Sequence, residues 1–438
     1  MSYSDRYEDY LNEIPADIEQ QKTEGRRHYF SFTSNYDVVL KWDAEVFDSI
    51  LEEFLEDAPG AEAGDRIGSM RDFARIAAYC AENGLGMNFD ITKESVCDFL
   101  LQKFSSESSL GGTGAQGAAA LSAMGFPVVV QLTDRCEEVC SMLNRSDMRI
   151  VRGSKLVPVM EGVIREAPVY HIILQFSKGD IIHAGKRAAE IPLSNRLIFF
   201  FDTVQKYVPI DREYLDYLER HTGEVSSLLL SGFDAITDEE VAEERIKSIA
   251  DTLTRMREQC PDLPVYFEGA FYMNPKVKEL FFQKLGPFAT VIGTNEEELQ
   301  DQSSKNGFVI DLTDMSSILE GIERMQERYG CRGIVLHTKD YALFHGTLPK
   351  NTDMEKGLTI GNLMSAARAG LGRYGTQQEI RQFLKLPLSQ TGLSLYGQLE
   401  KLETGMDTVM VPSRYMEHPK YTIGLGDTFV AGVQTCFR

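Results

Sequence analysis

The sequence predicts an α/β protein whose core is a parallel sheet covered by helices on both faces. Two observations lead to this prediction. From about residue 197 onward, short apolar runs alternate with amphipathic helix patterns, as strands do when helical crossovers join them in parallel. Between residues 145 and 200 the pattern changes, and the run at 169–176 is rich in β-branched and aromatic residues. A chain of 438 residues is long enough for two or three domains, or for one large domain with an insertion.

The individual elements follow from apolar periodicity and from the turn residues between the runs. The predicted strands are 28–33, 169–176, 197–201, 227–230, 265–268, 290–293, 333–337 and 409–411. The predicted helices are 1–25, 43–57, 69–83, 92–104, 237–258, 275–284, 315–329, 357–371 and 429–437. The parallel sheet is therefore expected to draw most of its strands from the second half of the chain.

Charge and cysteine content restrict the partners and the location of this chain. It has 45 basic and 66 acidic residues, a net charge of −21 and a pI near 4.9. An acidic protein repels nucleic acid and anionic membranes, so neither is expected as a partner. The sequence shows no run long enough to cross a membrane, and the seven cysteines are scattered. We therefore expect a reduced, cytoplasmic protein.

A glycine-rich motif near the end of the chain is the strongest functional signal. Gly424 and Gly426 allow a tight turn, and Asp427 and Thr428 lead into the predicted helix at 429–437. The free N–H groups and the positive dipole end of such a helix bind phosphoryl groups. A carboxylate beside an anion site suits a general base that takes a proton from an alcohol. The alternative is that Asp427 only caps the helix.

A second glycine-rich stretch, GGTGAQG at 111–117, also precedes a helical pattern. Its glycines at 112, 114 and 117 match G-x-G-x-x-G, which suggests a dinucleotide site. That fingerprint requires a buried strand immediately before the first glycine. The preceding residues, SSESSL at 105–110, are polar and follow a predicted helix. The dinucleotide interpretation is therefore disfavoured.

Polar side chains follow several predicted strands. Asn35 and Asp37 come after the first strand, where open α/β sheets bind ligands, although an Asx-type turn is the commoner explanation. The later strands are followed by Glu268, by Asn295 and Glu298, and by His337 and Thr338. Each of these residues alone could be a helix cap. Carboxylates and amides gathered along one sheet edge, however, suit a hydrated Mg²⁺ ion.

Positive charge is concentrated in one part of this acidic chain. Lys178 lies in a predicted turn, and Lys186, Arg187 and Arg196 follow it closely. Such a cluster suits a ligand that carries phosphate, although a solvated surface is the commoner explanation.

Taken together, the motifs resemble those of ribokinase-like kinases, and more closely those of the ADP-dependent glucokinase and phosphofructokinase family. The resemblance extends from about residue 28 to the end of the chain. It rests on GLGDT at 424–428, NEEE at 295–298, GG at 111–112, NYD at 35–37, VPSR at 411–414, LHT at 336–338 and SNRLI at 194–198. Tyr266 stands where the family has histidine, Leu197 stands where it has phenylalanine, and the first glycine block carries an apparent insertion.

The resemblance implies a Rossmann-type three-layer α/β/α domain with a smaller lid built from two separate segments. Residues 1–41, 106–154 and 199–438 would form the large nucleotide-binding domain, and residues 42–105 and 155–198 would form the lid. The resemblance also implies Mg²⁺ as the cofactor, and ADP or AMP and a sugar or sugar phosphate as partners. Closure of the lid would exclude water. We expect a monomer or a homodimer.

The same resemblance implies roles for individual residues. Asp427 would be the base, the amides of Gly424 and Gly426 would hold the transferring phosphoryl group, and Arg196 would neutralise the nucleotide phosphates. The residues implied for the sugar or sugar phosphate are Asn35, Asp37, Gly111, Gly112, Lys178 and Lys186. Those implied for the nucleotide are Asn295, His337, Thr338, Val411, Arg414 and Leu425. Those implied for the metal are Glu268, Glu298 and Asp427.

The sequence therefore predicts a Mg²⁺-dependent kinase that transfers a phosphoryl group, with ADP the favoured donor, to glucose or fructose 6-phosphate. One alternative is an ATP-dependent sugar kinase of the ribokinase type. Another is a nucleotide-sensing protein without turnover, although the joint presence of Gly424, Gly426 and Asp427 speaks against it.

Overall fold

The structure is a computed structural model that describes residues 3–55, 66–164, 168–184, 186–202, 204–270, 272–305 and 307–437. The ends of two predicted helices, residues 1–2 and 56–57, lie outside these ranges. The strands are β1 (Arg27–Ser31), β2 (Asn35–Leu40), β3 (Arg66–Ile67), β4 (Met87–Ile91), β5 (Ser106–Gly111), β6 (Val128–Val130), β7 (Met148–Arg152), β8 (Lys155–Pro158), β9 (Tyr170–Phe176), β10 (Ile181–Ala184), β11 (Arg187–Glu190), β12 (Asn195–Phe201), β13 (Val225–Leu230), β14 (Val265–Glu268), β15 (Val291–Asn295), β16 (Gly333–His337), β17 (Tyr341–Gly346) and β18 (Asp407–Pro412).

The helices include most of those expected from apolar periodicity, often to within a few residues. They are α1 (Tyr3–Glu24), α2 (Ala44–Leu55), α3 (Met70–Asn83), α4 (Glu94–Lys103), α5 (Thr113–Ala123), α6 (Glu137–Met142), α7 (Arg212–Arg220), α8 (Glu239–Gln259), α9 (Pro275–Leu285), α10 (Glu296–Lys305), α11 (Met315–Tyr329), α12 (Met354–Leu371), α13 (Gln377–Ile380), α14 (Gln390–Leu399) and α15 (Leu425–Val433).

The larger sheet has the order β18-β17-β16-β15-β14-β13-β1-β6-β7-β8. The strands from β16 to β7 pair in parallel, and only the outer strands of this sheet run antiparallel. One face is covered by α1, α5, α12 and α15, and the other by α8, α9 and α11, so that a hydrophobic core lies on each side. The predicted α/β fold with helices on both faces of a parallel sheet is confirmed.

The smaller sheet has the order β3-β4-β12-β9-β2-β5. Alternate side chains such as Val38, Leu174 and Phe199 form a third core with α2, α3 and α4. The opposite face of this sheet carries polar side chains, and we call it the open face. The cross-strand register places Asp90, Phe200, His171, Asp37 and Ser109 in one row across it. Because successive side chains of a strand point to opposite faces, this row shares the face opposite the third core.

Several strands differ from the prediction, for reasons of long-range pairing. The run at 197–201 was expected in the parallel sheet, but β12 pairs antiparallel with β9 in the smaller sheet. Residues 106–111, which were not predicted as a strand, form β5 at the edge of that sheet, where serine side chains are exposed. The strand β17 was not predicted, although it forms a hairpin with β16. Local patterns do not reveal such partners.

The division between the two sheets also differs from the boundaries implied by the resemblance. The strands β2 and β5, which were expected in the large domain, belong to the smaller sheet. The strand β8, which was expected in the lid, is the edge strand of the larger sheet. Among the described residues, no helix combines the length and the apolar character that a membrane span requires.

Candidate functional site

The carboxyl ends of β1, β13, β14, β15 and β16 meet at one edge of the larger sheet, and the N-terminus of α15 lies at the same edge. Gly424 immediately precedes α15 with φ 72°, in the left-handed region that favours glycine. A Cβ at this position would lie 2.1 Å from Gln116 Oε1 on α5, so no larger residue fits without a shift. Helix α15 begins at Leu425, four residues earlier than predicted. The turn into this helix is therefore fixed by backbone geometry.

Asp427 lies in the first turn of α15 and does not cap the helix. The position before the helix is Gly424, and Thr428 satisfies the carbonyl of Gly424 through both its N–H and its hydroxyl, at 3.1 and 2.7 Å. The capping interpretation is therefore wrong. Burial raises the pKa of Asp427, while a hydrogen bond with the Thr113 side chain and the charge of His337 oppose that rise. The carboxylate is held beside amide groups that a helix leaves without partners.

His337 and Glu268 form a buried ion-pair contact beside this helix turn. His337 Nε2 donates to Glu268 Oε1 at 3.1 Å, and the imidazole packs against Phe429 of α15 with ring centroids 5.0 Å apart. Burial alone would lower the pKa of His337, but the hydrogen bond and charge of Glu268 raise it overall. Burial raises the pKa of Glu268, and the His337 hydrogen bond limits the rise. Glu268 Oε2 lies buried beside the Tyr266 hydroxyl and makes no well-formed hydrogen bond.

Asn295 and Glu298 form a reciprocal cap at the start of α10. Asn295 Oδ1 accepts from the Glu298 N–H at 2.9 Å, and Glu298 Oε2 accepts from the Asn295 N–H at 3.4 Å. Thr294 also donates to Glu298 Oε2, at 3.2 Å. Burial and the charge of Glu268 raise the pKa of Glu298. These two residues therefore have a structural role, and the Glu298 carboxylate also lies close enough to Glu268 to be affected by its charge.

A cleft of about 610 Å³ opens beside the N-terminus of α15. Six of the residues that the sequence assigned to nucleotide or phosphoryl binding line this cleft: Asn295, His337, Thr338, Arg414, Leu425 and Gly426. The Thr338 hydroxyl accepts from the N–H groups of Asp340 and Tyr341, both at 3.0 Å, and so shapes the β16–β17 turn. The segment before Gly424, with Met416, Glu417 and Pro419, forms another part of the wall. The cleft has room for a nucleotide-sized ligand.

The open face of the smaller sheet contributes a second group of side chains. Asn35 donates from Nδ2 to Asp37 Oδ1 and, at 2.9 Å, to His171 Nδ1. His171 Nε2 donates to Asp202 Oδ2 at 3.3 Å, and Gln205 Nε2 donates to Asn35 Oδ1 at 3.1 Å. Every member of this network is thereby fixed by at least one neighbour. The structure brings Asn35 and Asp37 together within it.

Asp37 has an electrostatic environment that links the two groups. Burial raises the pKa of Asp37 to about 6, while His171 and the Asn35 hydrogen bond oppose the rise and the charge of Asp427 adds to it. Arg196, which is exposed on β12, also lowers the pKa of Asp37. Asp427 on α15 is therefore close enough to Asp37 on the smaller sheet for its charge to affect that carboxyl.

The first glycine block supports both groups. A Cβ on Gly111 would lie 2.4 Å from Asp37 Oδ1, and one on Gly112 would lie 2.6 Å from the Thr33 carbonyl. Gly112 has φ 86° and precedes α5, which packs against α15. Because these glycines have no Cβ, β5, the loop after it and α5 can approach the Asp37 side chain and the Thr33 backbone closely. The strand before this block lies in the smaller sheet at its edge, so the arrangement is not that of a dinucleotide fingerprint.

Three of the predicted site residues lie apart from these groups. The Val411 side chain is fully buried in the core on the α12 side. Lys186 follows β10 in the β10–β11 hairpin, which packs on the helical side of the smaller sheet. Two contacts hold the hairpin there: Arg187 pairs with Glu82 on α3 at 2.5 Å, and His183 contacts Asp48 on α2 at 2.7 Å. Lys178 lies in the exposed turn after β9, where its N–H donates to Ser194 Oγ at 2.9 Å.

Other residues of the site were not singled out from the sequence. His171 and Gln175 share the open face because they are four residues apart on one strand, a spacing that was visible in the sequence. Thr113, which contacts Asp427, directly follows the GG pair. Asp202 and Gln205 carry no local signal, because their partners His171 and Asn35 are distant in sequence.

Solved structures similar to this chain share its fold. A hypothetical ADP-dependent phosphofructokinase from Pyrococcus horikoshii OT3 superposes with a TM-score of 0.79 at 19% identity, over 94% of this chain and 98% of that one. An ADP-dependent kinase in complex with fructose-6-phosphate and ADPβS superposes with a TM-score of 0.72 at 17% identity, over 98% and 97%.

Sequence relatives cover most of the chain or a large part of it. The ADP-specific phosphofructokinase of Pyrococcus abyssi is 24% identical over 435 residues, or 92% of this chain and 95% of the relative. The ADP-dependent glucose/glucosamine kinase of Pyrococcus furiosus is 27% identical over 293 residues, or 63% of this chain and 62% of the relative. The family model of the ADP-specific phosphofructokinase/glucokinase conserved region matches residues 26–433. The chain therefore belongs to the ADP-specific phosphofructokinase/glucokinase family.

Proposed function

We propose that this protein transfers the β-phosphoryl group of ADP to a hydroxyl of a hexose or hexose phosphate. The observation that carries the proposal is the position of Asp427. Its carboxylate sits in the first turn of α15, does not cap that helix, and neighbours Asp37 on the opposite sheet. A carboxylate between an anion site and a set of hydrogen-bonding groups is placed to take the proton of an acceptor hydroxyl.

The donor occupies the cleft beside α15. The N–H groups of Leu425, Gly426 and Asp427 have no partners within the helix, so they bind the transferring phosphoryl group together with the helix dipole. The cleft walls at His337, Thr338 and Arg414 accommodate the remainder of the nucleotide. Relatives that carry the names ADP-specific phosphofructokinase and ADP-dependent glucose/glucosamine kinase support ADP as the donor.

Mg²⁺ fits this site as a hydrated ion. Among the described residues, no group of three or more histidine, cysteine, aspartate or glutamate side chains is arranged to enclose a metal. Glu268 Oε2 is nevertheless a buried acceptor without a well-formed hydrogen bond, and Glu298 lies close to Glu268. Glu268, Glu298 and Asp427 would hold the ion mainly through water and donor phosphates, as Mg²⁺ prefers. The bound ion would neutralise charge on those phosphates.

The acceptor lies against the open face of the smaller sheet. Asn35, Asp37 and His171 present amide, carboxylate and imidazole groups, which match the alternating donors and acceptors of sugar hydroxyls. Arg196 is exposed on the same sheet, and its charge lowers the pKa of the Asp37 carboxyl. This cation is available to a phosphate of the donor or of a phosphorylated acceptor.

Purified protein assayed with each of ADP, ATP and GTP against each of glucose, fructose 6-phosphate and ribose tests the proposal. We expect AMP and a phosphorylated sugar from ADP with glucose or fructose 6-phosphate. Product only with ATP would support a ribokinase-type kinase instead. Nucleotide binding without product in any combination would support a sensing protein.

Matched lysine variants sharpen the choice of acceptor. Lys178→Ala removes a cation from the turn two residues after β9, and Lys186→Ala removes one from the hairpin on the helical side of the sheet. If the acceptor is phosphorylated and its phosphate lies near Lys178, the first variant raises KM for fructose 6-phosphate and leaves KM for glucose unchanged. The second variant serves as the control.

A further inference from the structure

Helix α1 (Tyr3–Glu24) precedes the region that the family model matches, residues 26–433, and yet it reaches the proposed nucleotide cleft. From the contacts of its Tyr7 we infer that this residue is a positioning residue for nucleotide binding. It holds Asn362 and Arg414, two residues that line the cleft. The inference rests on the proposed function, because it assumes that ADP binds in this cleft.

The Tyr7 hydroxyl makes one donated and one accepted hydrogen bond with groups next to the cleft. It donates to the Pro412 carbonyl at 2.9 Å and accepts from Asn362 Nδ2 at 3.3 Å. The side chain has 0% exposure, and burial raises the pKa of its hydroxyl strongly, so the group remains a neutral donor. A buried hydroxyl with both a donor and an acceptor partner fixes the geometry of both neighbours.

Asn362 is oriented by these contacts. Its Nδ2 group donates to Tyr7 and also to the Val411 carbonyl at 3.3 Å. Both amide hydrogens therefore have partners on the side of α1 and β18, and the amide cannot rotate freely. Asn362 lies on α12 and lines the cleft, so its orientation sets the polar pattern that a nucleotide meets there.

Arg414 is positioned by the ring of the same tyrosine. Its guanidinium carbon lies 4.7 Å from the centroid of the Tyr7 ring, and Nη1 donates to the Leu386 carbonyl at 2.7 Å. A cation stacked on an aromatic face within about 6 Å is held by the ring quadrupole. Arg414 thus lies between α1 and the cleft, and the Tyr7 ring and the Leu386 carbonyl together orient its guanidinium group.

Helix α1 is itself anchored firmly enough to act as a support. Lys356 of α12 has a fully buried side chain. It pairs with two carboxylates of α1, Glu13 at 2.9 Å and Asp17. Arg6 pairs with Glu355 one residue earlier on α12. Because these contacts lie on α12, which also carries Asn362, the tyrosine and the amide belong to one connected unit.

Isothermal titration of Mg²⁺ and ADP into wild type, Tyr7→Phe and Tyr7→Leu tests this role. Tyr7→Phe removes the hydroxyl and keeps the ring, and we expect it to raise Kd for ADP about threefold to tenfold, the usual effect of one lost hydrogen bond. Tyr7→Leu also removes the contact with Arg414, and we expect a larger increase. In turnover assays the KM for ADP should rise while kcat and the KM for the sugar stay close to wild type.

Tyr329→Phe is the matched control, because Tyr329 is also buried and lies outside the cleft. Its hydroxyl lies 2.9 Å from Gln302 Oε1 and 3.1 Å from Glu279 Oε2, either of which can accept its proton. This variant should lower the free energy of unfolding and leave Kd for ADP unchanged. An unchanged Kd in both Tyr7 variants, or equal changes in Tyr7→Phe and Tyr329→Phe, would overturn the inference. Failure of the wild type to bind ADP would instead overturn the proposed function.

Discussion

The donor side and the acceptor side of the site are built in different ways. On the donor side, a short contiguous motif places backbone amides and one carboxylate at the N-terminus of α15, with Gly424 in the left-handed region. On the acceptor side, Asn35, His171 and Gln205 come from distant parts of the chain and are joined by side-chain hydrogen bonds. The arrangement of the donor side depends on backbone geometry, and the arrangement of the acceptor side depends on strand register.

This difference has consequences for substitution and for pH. Backbone N–H groups do not change protonation at any ordinary pH, and their arrangement is lost only when the turn itself is disturbed. A network of carboxylates and imidazoles changes with protonation. We therefore expect changes on the donor side to act on catalysis, and changes on the acceptor side to act on substrate affinity.

The largest expected effect comes from the group at which the two sides meet. Asp427→Asn should lower kcat by about 10²- to 10⁴-fold while Kd for ADP and the melting temperature stay near wild type, because the amide cannot take a proton. Asp314→Asn is the control, since Asp314 is a true cap whose carboxylate accepts from Ser316 and Ser317 at the start of α11. A stability loss with normal turnover per folded Asp427→Asn molecule would refute the base assignment.

A change in the backbone of the donor side ranks second. Gly424→Ala should lower kcat by about 10- to 100-fold with little change in the KM of the sugar, because its Cβ would meet Gln116 and displace the amides by about 1 Å. Gly397→Ala on α14 serves as the control, since a Cβ there meets nothing within 4 Å. Steady-state kinetics on both variants measures kcat and the KM of the sugar. Wild-type turnover in Gly424→Ala would show that the turn tolerates a side chain.

The metal dependence is the third test. Glu298→Gln should raise the Mg²⁺ concentration for half-maximal rate by about tenfold, since a neutral amide replaces a carboxylate near Glu268. Glu379→Gln alters the equivalent position of a capping box on α13, far from the cleft lining, and should leave that concentration unchanged. The measurement is rate against Mg²⁺ at saturating ADP and sugar. Equal behaviour of the two variants would remove Glu298 from the metal site.

The smallest expected effect is a pH dependence of acceptor binding. The pKa of Asp37 is raised to about 6, so the group is charged above this pH and becomes protonated as the pH falls through it. A protonated carboxyl loses part of its capacity to accept hydrogen bonds from the sugar, so KM for the acceptor should rise about fivefold between pH 7 and pH 5. Asp37→Asn should show a high KM with no such change. An unchanged KM for the acceptor in wild type between pH 7 and pH 5 would contradict this role of Asp37.

The same contrast explains how much the sequence could predict. The turn at 424–428 and the edge residues Glu268, Asn295 and His337 follow strands or precede a helix with clear local patterns, and the structure brings them to one edge. Local patterns also locate the parallel strands β13 to β16.

The acceptor side was harder to predict, for a physical reason. The pairing of β12 with β9 and of β5 with β2 is a long-range choice, and the serine-rich β5 is an exposed edge strand with weak local preference. The network that joins His171 to Asp202 exists only after these strands pair. Lys186 looked equivalent to Lys178 in the sequence, yet the hairpin places it on the helical side of the sheet.

Phosphorus NMR shows directly which nucleotide donates the phosphoryl group. Wild-type protein is mixed with Mg²⁺, with fructose 6-phosphate or glucose, and with either ADP or ATP as donor. A pocket that places the β-phosphoryl of ADP at the amides of α15 misplaces the γ-phosphoryl of ATP by one phosphate length. We predict equal amounts of AMP and phosphorylated sugar from ADP, at a rate at least about 10²-fold above that with ATP. Faster consumption of ATP, with ADP left intact, would show that ADP is not the donor.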